Sequence, residues 1–279
     1  MSSSMSGRLV LVGTPIGNLG DLSPRALEAL GQAAVVACED TRRTGRLLSH
    51  FGISSPTYMV VNEHTEGDAA ERVLGHVQRG DVVVLVSDAG MPGVSDPGEY
   101  LVAQAIAAGV TVEVVPGPSA LLHALVVSGL TTSRFVFEGF LPRKGSGRAL
   151  RLRELSEEHR TAIVFEAPHR LEKTLNDLAD ACGGERRIVL ARELTKLHEE
   201  IWRGTVSGAI DRCAEVDPRG EYVLVLDGAP PAAEPTEEEI REAVELALGR
   251  GLSKKDAAAE VAEFFAVARN RVYEIAIAL

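Results

Sequence analysis

The stretch LVLVGTPIGNLGD (residues 9–21) joins a short apolar run to a loop rich in glycine and small polar residues. Three further loops follow apolar runs in the same way: ACEDTR (37–42), SDAGMP (87–92) and PGPSA (116–120). Open α/β sheets bind ligands where strands end and helices begin. The sequence therefore predicts one composite pocket, built from these four loops at one edge of a sheet.

Strand-like and helical patterns alternate along most of the chain. The β-branched runs of a first series are residues 9–12, 35–37, 57–61, 82–86 and 111–115, with amphipathic stretches such as 24–30 and 69–78 between them. A second series lies at 134–137, 161–165, 187–191 and 221–226, with helical patterns near 148–156 and 169–182. Such alternation is typical of βαβ units and of a largely parallel sheet. We therefore predict an α/β protein with two α/β domains, residues 1–117 and 118–228.

A Pro/Ala-rich linker at 229–235 ends the second domain and leads into a helical tail, residues 236–279. Thr236 to Glu239 form a capping box, Ser253 to Asp256 open a second helix, and a third helical pattern spans 268–278. The spacing is helix-turn-helix-like and is compatible with nucleic-acid binding or with a docking or dimer-stabilising bundle. The bundle is favoured, because residues 237–279 carry six basic and nine acidic side chains.

Composition narrows the class of protein. The 279 residues include 29 Lys and Arg against 40 Asp and Glu, a formal net charge of -11, so an RNA partner requires a local basic patch. Three cysteines without C-x-x-C spacing argue against disulfides and structural zinc, and favour a reducing cytoplasm. The polar N-terminus has no secretory pattern, and no apolar run approaches the roughly 18 residues of a membrane span. We expect a cytoplasmic protein with no membrane and no metal partner.

The glycine-rich loops do not match the common nucleotide-binding motifs. Glycines at 13, 17 and 20 miss the G-x-G-x-x-G spacing, Pro15 removes a backbone N–H, and no P-loop is present. A nicotinamide-dependent oxidoreductase is therefore disfavoured. Small residues in 87–98 permit close approach of a ligand, although Asp88 and Asp96 could instead be turn residues or helix caps. Small side chains at 119 and 120 leave room for a flat ring.

These four loops and three later motifs, FEGFLP (137–142), PHRL (168–171) and ARELTK (191–196), resemble those of the tetrapyrrole-methylase superfamily of S-adenosylmethionine-dependent methyltransferases. The seven motifs stand in one order across about residues 8–228. Within the superfamily they are most similar to the enzymes that methylate small-subunit ribosomal RNA, with departures at Met91, Gly93 and Ala167.

The resemblance implies a cleft between the two α/β domains that holds S-adenosylmethionine as cofactor. It further implies a homodimer whose partner is 16S ribosomal RNA or the small ribosomal subunit, and whose activity is 2′-O-methylation of a cytidine ribose in the decoding region. Ten residues are expected from it to line the donor pocket, largely through backbone groups: Pro15, Asp88, Ala89, Gly90, Ser119, Ala120, Phe165, Glu166, Leu194 and Glu221.

Methyl transfer requires alignment of the reactants and a group that accepts the hydroxyl proton. Polar residues near predicted strand ends are the candidates for that acceptor: Glu39, Asp40, Glu63, His64, Glu166, His169 and Glu193. We favour Glu39 and Asp40 as the catalytic residues. The alternative is that these carboxylates pair with Arg42 or Arg192 and hold the cleft.

A basic segment at 143–153 has five cationic residues and no acid before Glu154. A charge run can be a solvated helix face, but Gly145, Ser146 and Gly147 predict a flexible segment, and phosphate contacts dominate RNA affinity. The residues expected to contact RNA are Arg42, Arg43, Arg143, Lys144, Arg148 and Arg151, and Arg46 could extend the patch.

Two other functions remain open. A small-molecule, tetrapyrrole-type methyltransferase of the same fold would gain nothing from the basic segment. A non-enzymatic regulator built around the tail would need a basic recognition helix and would leave the strand-end loops unexplained. Binding of S-adenosylmethionine separates the methyltransferases from the regulator.

Overall fold

The computed structural model describes residues 7–54, 56–62, 65–231 and 235–279. The chain divides into two compact units, Met1–Ala229 and Pro230–Leu279. The larger unit contains two five-stranded sheets, and the smaller unit is helical.

The first sheet is entirely parallel, as predicted. Its strands are β1 (Arg8–Val12), β2 (Val35–Cys38), β3 (Thr57–Val60), β4 (Val82–Leu85) and β5 (Thr111–Val115). They lie in the order β3-β2-β4-β1-β5. The helices of this part are α1 (Pro24–Gln32), α2 (Thr41–His50), α3 (Glu66–Gln78), α4 (Glu99–Ala107) and α5 (Ala120–Ser128). Every residue of β2 and β4 is buried, because helices cover both faces of such a sheet.

The second sheet is mixed. Its strands are β6 (Phe135–Phe140), β7 (Thr161–Glu166), β8 (Arg187–Arg192), β9 (Glu200–Thr205) and β10 (Tyr222–Leu226). In the order β6-β7-β10-β8-β9, only β6 and β7 pair in parallel; β10 lies in the centre, antiparallel to both neighbours. Its helices are α6 (Ser146–Glu157), α7 (Pro168–Cys182) and α8 (Val206–Glu215).

The two sheets are joined through the loop that follows β1. Ile16 of that loop is buried in one apolar cluster with Ala124 of α5, Val189 of β8 and Val223 of β10. The first sheet's carboxyl edge is thereby held against the second sheet, which creates the walls of a cleft.

Local signals in the sequence account for several of the helix starts. The Ser23 side chain accepts the backbone N–H of Ala26, and Pro24 occupies the first position of α1, as predicted. The smaller unit consists of α9 (Glu237–Gly249), α10 (Lys254–Phe264) and α11 (Arg269–Ala278), and has an apolar core of its own. Thr236 opens α9 with the predicted capping box, confirming the helical tail. None of the described helices has the length and apolarity needed to cross a membrane.

Candidate functional site between the two sheets

Backbone contacts tie together the loops that follow β1, β4 and β5. The N–H of Thr14 donates to the carbonyl of Gly90 at 2.8 Å, and the N–H of Gly90 returns the bond to Thr14 at 3.1 Å. A Cβ added to Gly117 would lie 2.7 Å from the carbonyl oxygen of Gly13, so both glycines are required for these loops to touch. These three loops are therefore in direct contact at one edge of the first sheet.

The loop after β2 joins the same edge through carboxylates. The side chain of Asp88 accepts the backbone N–H of Asp40 at 3.3 Å, and Glu39 accepts the backbone N–H of Asp88 at 3.1 Å. Adjacent parallel strands thus fix Glu39 and Asp88 beside each other at their carboxyl ends.

A cleft of about 320 Å³ lies between the loops of the first sheet and strands β7 and β10 of the second. We call it the inter-sheet cleft. It is lined by seven of the ten residues expected at the donor pocket: Ala89, Gly90, Ser119, Ala120, Phe165, Glu166 and Glu221. Sequence reasoning missed Phe140, whose ring packs edge-on against that of Phe165 at 5.7 Å and gives the cleft an aromatic wall. The size suits a small organic ligand.

The other three expected residues lie elsewhere. Leu194 is buried in the apolar cluster that joins the sheets. Pro15 and Asp88 line a second cavity of about 550 Å³, against helix α2. We call this second space the α2 cavity.

Glu166 forms a fixed wall of the inter-sheet cleft. Its side chain is fully buried, and its two oxygens accept the N–H of Ala167 at 2.9 Å, the guanidinium of Arg170 at 3.1 Å and the hydroxyl of Thr174 at 2.5 Å. These bonds anchor the start of α7. A carboxylate so fully engaged is better suited to holding the wall than to accepting a substrate proton.

Lys196 bridges two carboxylates beside the cleft. Its Nζ donates to Glu193 and to Glu221, each at 2.8 Å. Although burial opposes it, the hydrogen bond from Lys196 lowers the pKa of Glu193. Glu193 and Thr195 adopt left-handed backbone conformations, with φ of 50° and 65°, strain that is commonly stored at functional sites.

Asp40 has the geometry of an ion pair. Its carboxylate caps α2 by accepting the backbone N–H of Arg42 at 2.7 Å, and the Arg42 guanidinium lies 3.0 Å from Oδ2. These bonds from the side chain and backbone of Arg42 lower the pKa of Asp40 to about 2. A carboxylate with so low a pKa is a weak base at neutral pH. The geometry therefore favours the ion-pair alternative for Asp40.

Asp96, in the loop after β4, is the cleft residue with the most altered acidity. Burial raises the pKa of its carboxyl to about 7, the charges of Glu39 and Asp88 add to the rise, and a hydrogen bond from Ser87 opposes it. A group that titrates near neutrality inside a cleft is a candidate acid or base. In the sequence, an Asp followed by Pro-Gly is indistinguishable from a turn residue.

The remaining candidates for the proton acceptor are placed as follows. His169 is exposed at the start of α7 and does not line the inter-sheet cleft. Glu63 and His64 lie outside the described residues.

The basic segment differs from the prediction in two ways: it is helical from Ser146 onward, and its Arg148 is buried. Helix α6 already begins at Ser146, so the segment is ordered helix where flexibility was expected. Arg148 is buried and holds α6 against α7 through Asp177 at 2.6 Å and Thr174 at 2.9 Å. The expectation that Arg148 contacts RNA is therefore wrong, since its guanidinium is enclosed in the core.

The other predicted RNA-contacting residues are accessible. Arg143 and Lys144 are exposed before α6. Arg151 lies 2.9 Å from Glu154. Arg42 pairs with Asp40, as described above, and the guanidinium of Arg43 lies 3.3 Å from Asp88. Across the described ranges no group of three or more His, Cys, Asp or Glu side chains is arranged to hold a metal ion.

Comparison with known proteins finds relatives that are similar in sequence over nearly the whole chain. The chain is 46% identical over 275 residues to ribosomal RNA small subunit methyltransferase I of Synechocystis sp., covering 98% of each chain. It is 46% identical over 276 residues to the protein of that name from Pseudomonas aeruginosa, covering 98% of this chain and 97% of the relative.

Among solved structures, the methyltransferase CobJ has a TM-score of 0.61 at 22% identity, covering 80% of this chain and 95% of that one. The uroporphyrin-III C-methyl transferase of Thermus thermophilus, solved in complex with S-adenyl homocysteine, has a TM-score of 0.58 at 21% identity, covering 79% and 97%. At these identities the likeness concerns the fold alone.

Two family models match the chain. One, described as the RsmI C-terminal HTH domain, matches residues 234–279. The other, described as tetrapyrrole (corrin/porphyrin) methylases, matches residues 8–210, which include most of both sheets and all but the last strand around the cleft. Taken with the two relatives that match nearly end to end, this shows that the chain belongs to the tetrapyrrole (corrin/porphyrin) methylase family.

Proposed function

We propose that this protein transfers a methyl group from S-adenosylmethionine to the 2′-hydroxyl of a cytidine in the decoding region of 16S ribosomal RNA, as a cytoplasmic homodimer. The observation that carries the proposal is the agreement between the relatives and the cleft. Relatives at 46% identity over nearly the whole chain are named for methylation of small-subunit ribosomal RNA. Seven residues expected at a donor pocket line one cleft in this chain.

The inter-sheet cleft fits S-adenosylmethionine in shape and chemistry. Gly90, with a φ of +84°, has no side chain to fill the space next to Ile16. Phe140 and Phe165 offer aromatic faces for a flat ring, while Ser119 and Glu221 offer polar groups. When bound, S-adenosylmethionine supplies an electrophilic methyl group on a positively charged sulfur.

The chain's own contribution is alignment of the two reactants and removal of one proton. Loops held together by backbone bonds, such as those at Thr14 and Gly90, keep the cleft walls fixed without reorganisation. The hydrogen bonds that Glu166 accepts from Ala167 and Thr174 fix one of these walls.

Asp96 is the residue we infer to accept the hydroxyl proton, because it lines the inter-sheet cleft beside Ala89 and Gly90. Its altered acidity would leave it ionised just above neutral pH. Glu39, expected as a catalytic residue, would act by holding Asp88 and by raising the basicity of Asp96. Asp40 would position Arg42.

Arg42, Arg43, Arg143, Lys144 and Arg151 are the residues proposed to contact RNA. Positive side chains are what an acidic protein needs where it contacts RNA, and Arg143 and Lys144 are exposed.

The experiment that tests this function is methyl transfer from radiolabelled S-adenosylmethionine to small ribosomal subunits from cells that lack the native methylation. Label on a single 2′-O-methyl cytidine of the decoding region is the expected result. Label on naked 16S RNA as well would identify free RNA as a substrate. If the protein binds S-adenosylmethionine but methylates only a tetrapyrrole, the small-molecule alternative replaces the proposal.

A further inference from the structure

Helix α2 presents a line of basic side chains to the α2 cavity. Arg43, Arg46 and His50 all line this cavity, and they are spaced three and four residues apart, which places them on one face of the helix. All three are exposed, whereas Leu48, on the opposite face, is buried in the core beneath the helix; Thr44 is buried as well and also lines the cavity. This line of basic side chains is therefore open to solvent along two helical turns.

Helix α2 is basic, whereas the protein as a whole is acidic. Helix α2 contains no acidic residue, in a chain whose formal net charge is -11. Among the described residues, Asp88 is the one carboxylate that lines the α2 cavity, and it lies 3.3 Å from the guanidinium of Arg43. Arg46 donates from Nε to the carbonyl of Arg42, which leaves its two terminal nitrogens for a ligand.

The α2 cavity lies directly beside the inter-sheet cleft. Pro15 lines the cavity and Ile16 lines the cleft; Asp88 lines the cavity and Ala89 lines the cleft. A substrate strand that places one ribose at the cleft would therefore run past α2 with its neighbouring nucleotides. The hydroxyls of Thr14 and Ser87 point to backbone carbonyls of the same loops and hold this shared wall.

We propose that the α2 cavity is a phosphate-binding subsite, in which Arg46, His50 and Arg43 hold the backbone of a single-stranded RNA segment flanking the nucleotide to be methylated. The subsite rests on the proposed function and specifies where its RNA lies. Arg46 and His50 contact the phosphodiester oxygens, since a guanidinium and an imidazole edge are suited to them. Arg43 bridges between the RNA and Asp88.

The test uses the full-length protein and a short fluorescein-labelled single-stranded oligouridylate, with binding followed by fluorescence anisotropy over a series of salt concentrations. The variant Arg46→Gln should bind the RNA roughly threefold to tenfold more weakly, and its log-log salt slope should be smaller in magnitude by about 1. Arg46→Lys, which keeps the charge, should recover the slope. Affinity for S-adenosylmethionine, measured by calorimetry, should not change in either variant.

Arg72→Gln is the matched control, because Arg72 is an exposed cation on α3 and does not line the α2 cavity. If Arg46→Gln and Arg72→Gln bind the RNA equally well and with equal salt slopes, the subsite is overturned. Displacement of the RNA from the wild type by uroporphyrin, with loss of porphyrin binding in Arg46→Gln, would instead assign the cavity to small-molecule carboxylates.

The anisotropy measurement requires no methyl transfer, so it tests the subsite independently of the proposed function. A protein that binds the RNA through Arg46 but methylates no ribosomal RNA retains the subsite and loses the function. If the wild type methylates the decoding-region cytidine and Arg46→Gln does so with the same KM for the RNA, the function is retained and the subsite is lost.

Discussion

At the scale of single residues, Asp96 is a candidate base because of its environment in the folded protein, although its sequence context is that of a turn. Its carboxyl lines the cleft, and burial, to which the charges of Glu39 and Asp88 add, raises its pKa to about 7. The rate of methyl transfer by the wild type should therefore rise with pH through neutrality, as Asp96 loses its proton.

Asp96→Asn should lower kcat by about 10²-fold and remove that rise, because an amide cannot accept the proton. The measurement is the pH profile of kcat, with Asp68→Asn, an exposed change on α3, as control. A variant that keeps the wild-type profile would contradict the role of Asp96.

The same substitution has a stability readout. The folded-state pKa of Asp96 lies above its ordinary value of 3.8, so stability is fully present below the ordinary value and is lost as pH rises toward 7. Asn does not ionise and escapes this loss. The Tm of Asp96→Asn relative to the wild type should therefore increase between about pH 4 and 7.

Gly117 has no side chain, which allows its loop to lie directly against the loop that contains Gly13. Gly117→Ala would place a Cβ 2.7 Å from the carbonyl oxygen of Gly13, and backbone atoms cannot move aside cheaply. We expect the free energy of unfolding to fall by about 1–3 kcal/mol and binding of S-adenosylmethionine to weaken. Chemical denaturation and calorimetry measure the two effects.

Gly31→Ala is the control for that change, since no heavy atom lies within 4 Å of a Cβ at Gly31 in α1. An alanine there should leave stability unchanged or raise it by about 0.5–1 kcal/mol. Equal effects at Gly31 and Gly117 would mean that the contact with Gly13 does not matter.

At the scale of elements, Arg148 links two helices, although in the sequence it belongs to a segment that looks like a basic surface. Arg148, Leu152 and Leu155 recur at helical spacing on the inner face of α6, and this spacing carries Arg148 under α7. Arg148→Met should lower the free energy of unfolding by about 3 kcal/mol, because Asp177 and Thr174 lose their shared partner. Urea denaturation measures the loss, and the exposed Arg143→Met should show almost none.

The pH dependence of this loss has a definite sign. Although burial opposes it, hydrogen bonds from Lys173 and Arg148 lower the pKa of Asp177. The stabilisation is therefore present above the ordinary carboxyl pKa and is lost as pH falls through the lowered value. The difference between the wild type and Arg148→Met should shrink in acid.

The sequence was sufficient for the parallel sheet and for the helix starts at Ser23, Thr236 and Ser253, because β-branched runs and caps are local signals. It was insufficient for β9, whose segment EIWRGT is polar, contains a glycine and becomes a strand by pairing with β8. Arg148 was misplaced for a similar reason: only contact with α7 distinguishes it from a solvated cation. At the site, loop motifs identified most of the cleft lining, whereas Phe140 and Asp96 depend on how two distant segments meet.

At the scale of the whole molecule, each compact unit has an apolar core of its own. In the described part of the smaller unit, the fully buried core residues lie on α9, α10 and α11. A chain that ends at Ala229 should therefore fold and bind S-adenosylmethionine with a Kd within about twofold of the intact protein, since the cleft residues all precede that point. Calorimetry on both forms measures this; loss of binding with intact folding would contradict it.

The central position of β10 has a consequence for the protein's synthesis. The first sheet can close once residue 115 has left the ribosome, but β7 and β8 lack the strand between them until residues 222–226 emerge. Until then a nascent chain presents two open strand edges, which are sites for aggregation or for chaperones. The cleft also lacks its wall at Tyr222 and Val223, so we expect that the methyl donor does not stabilise a chain without this strand. Arrival of this last strand therefore separates a folding intermediate from an enzyme that can hold its ligand.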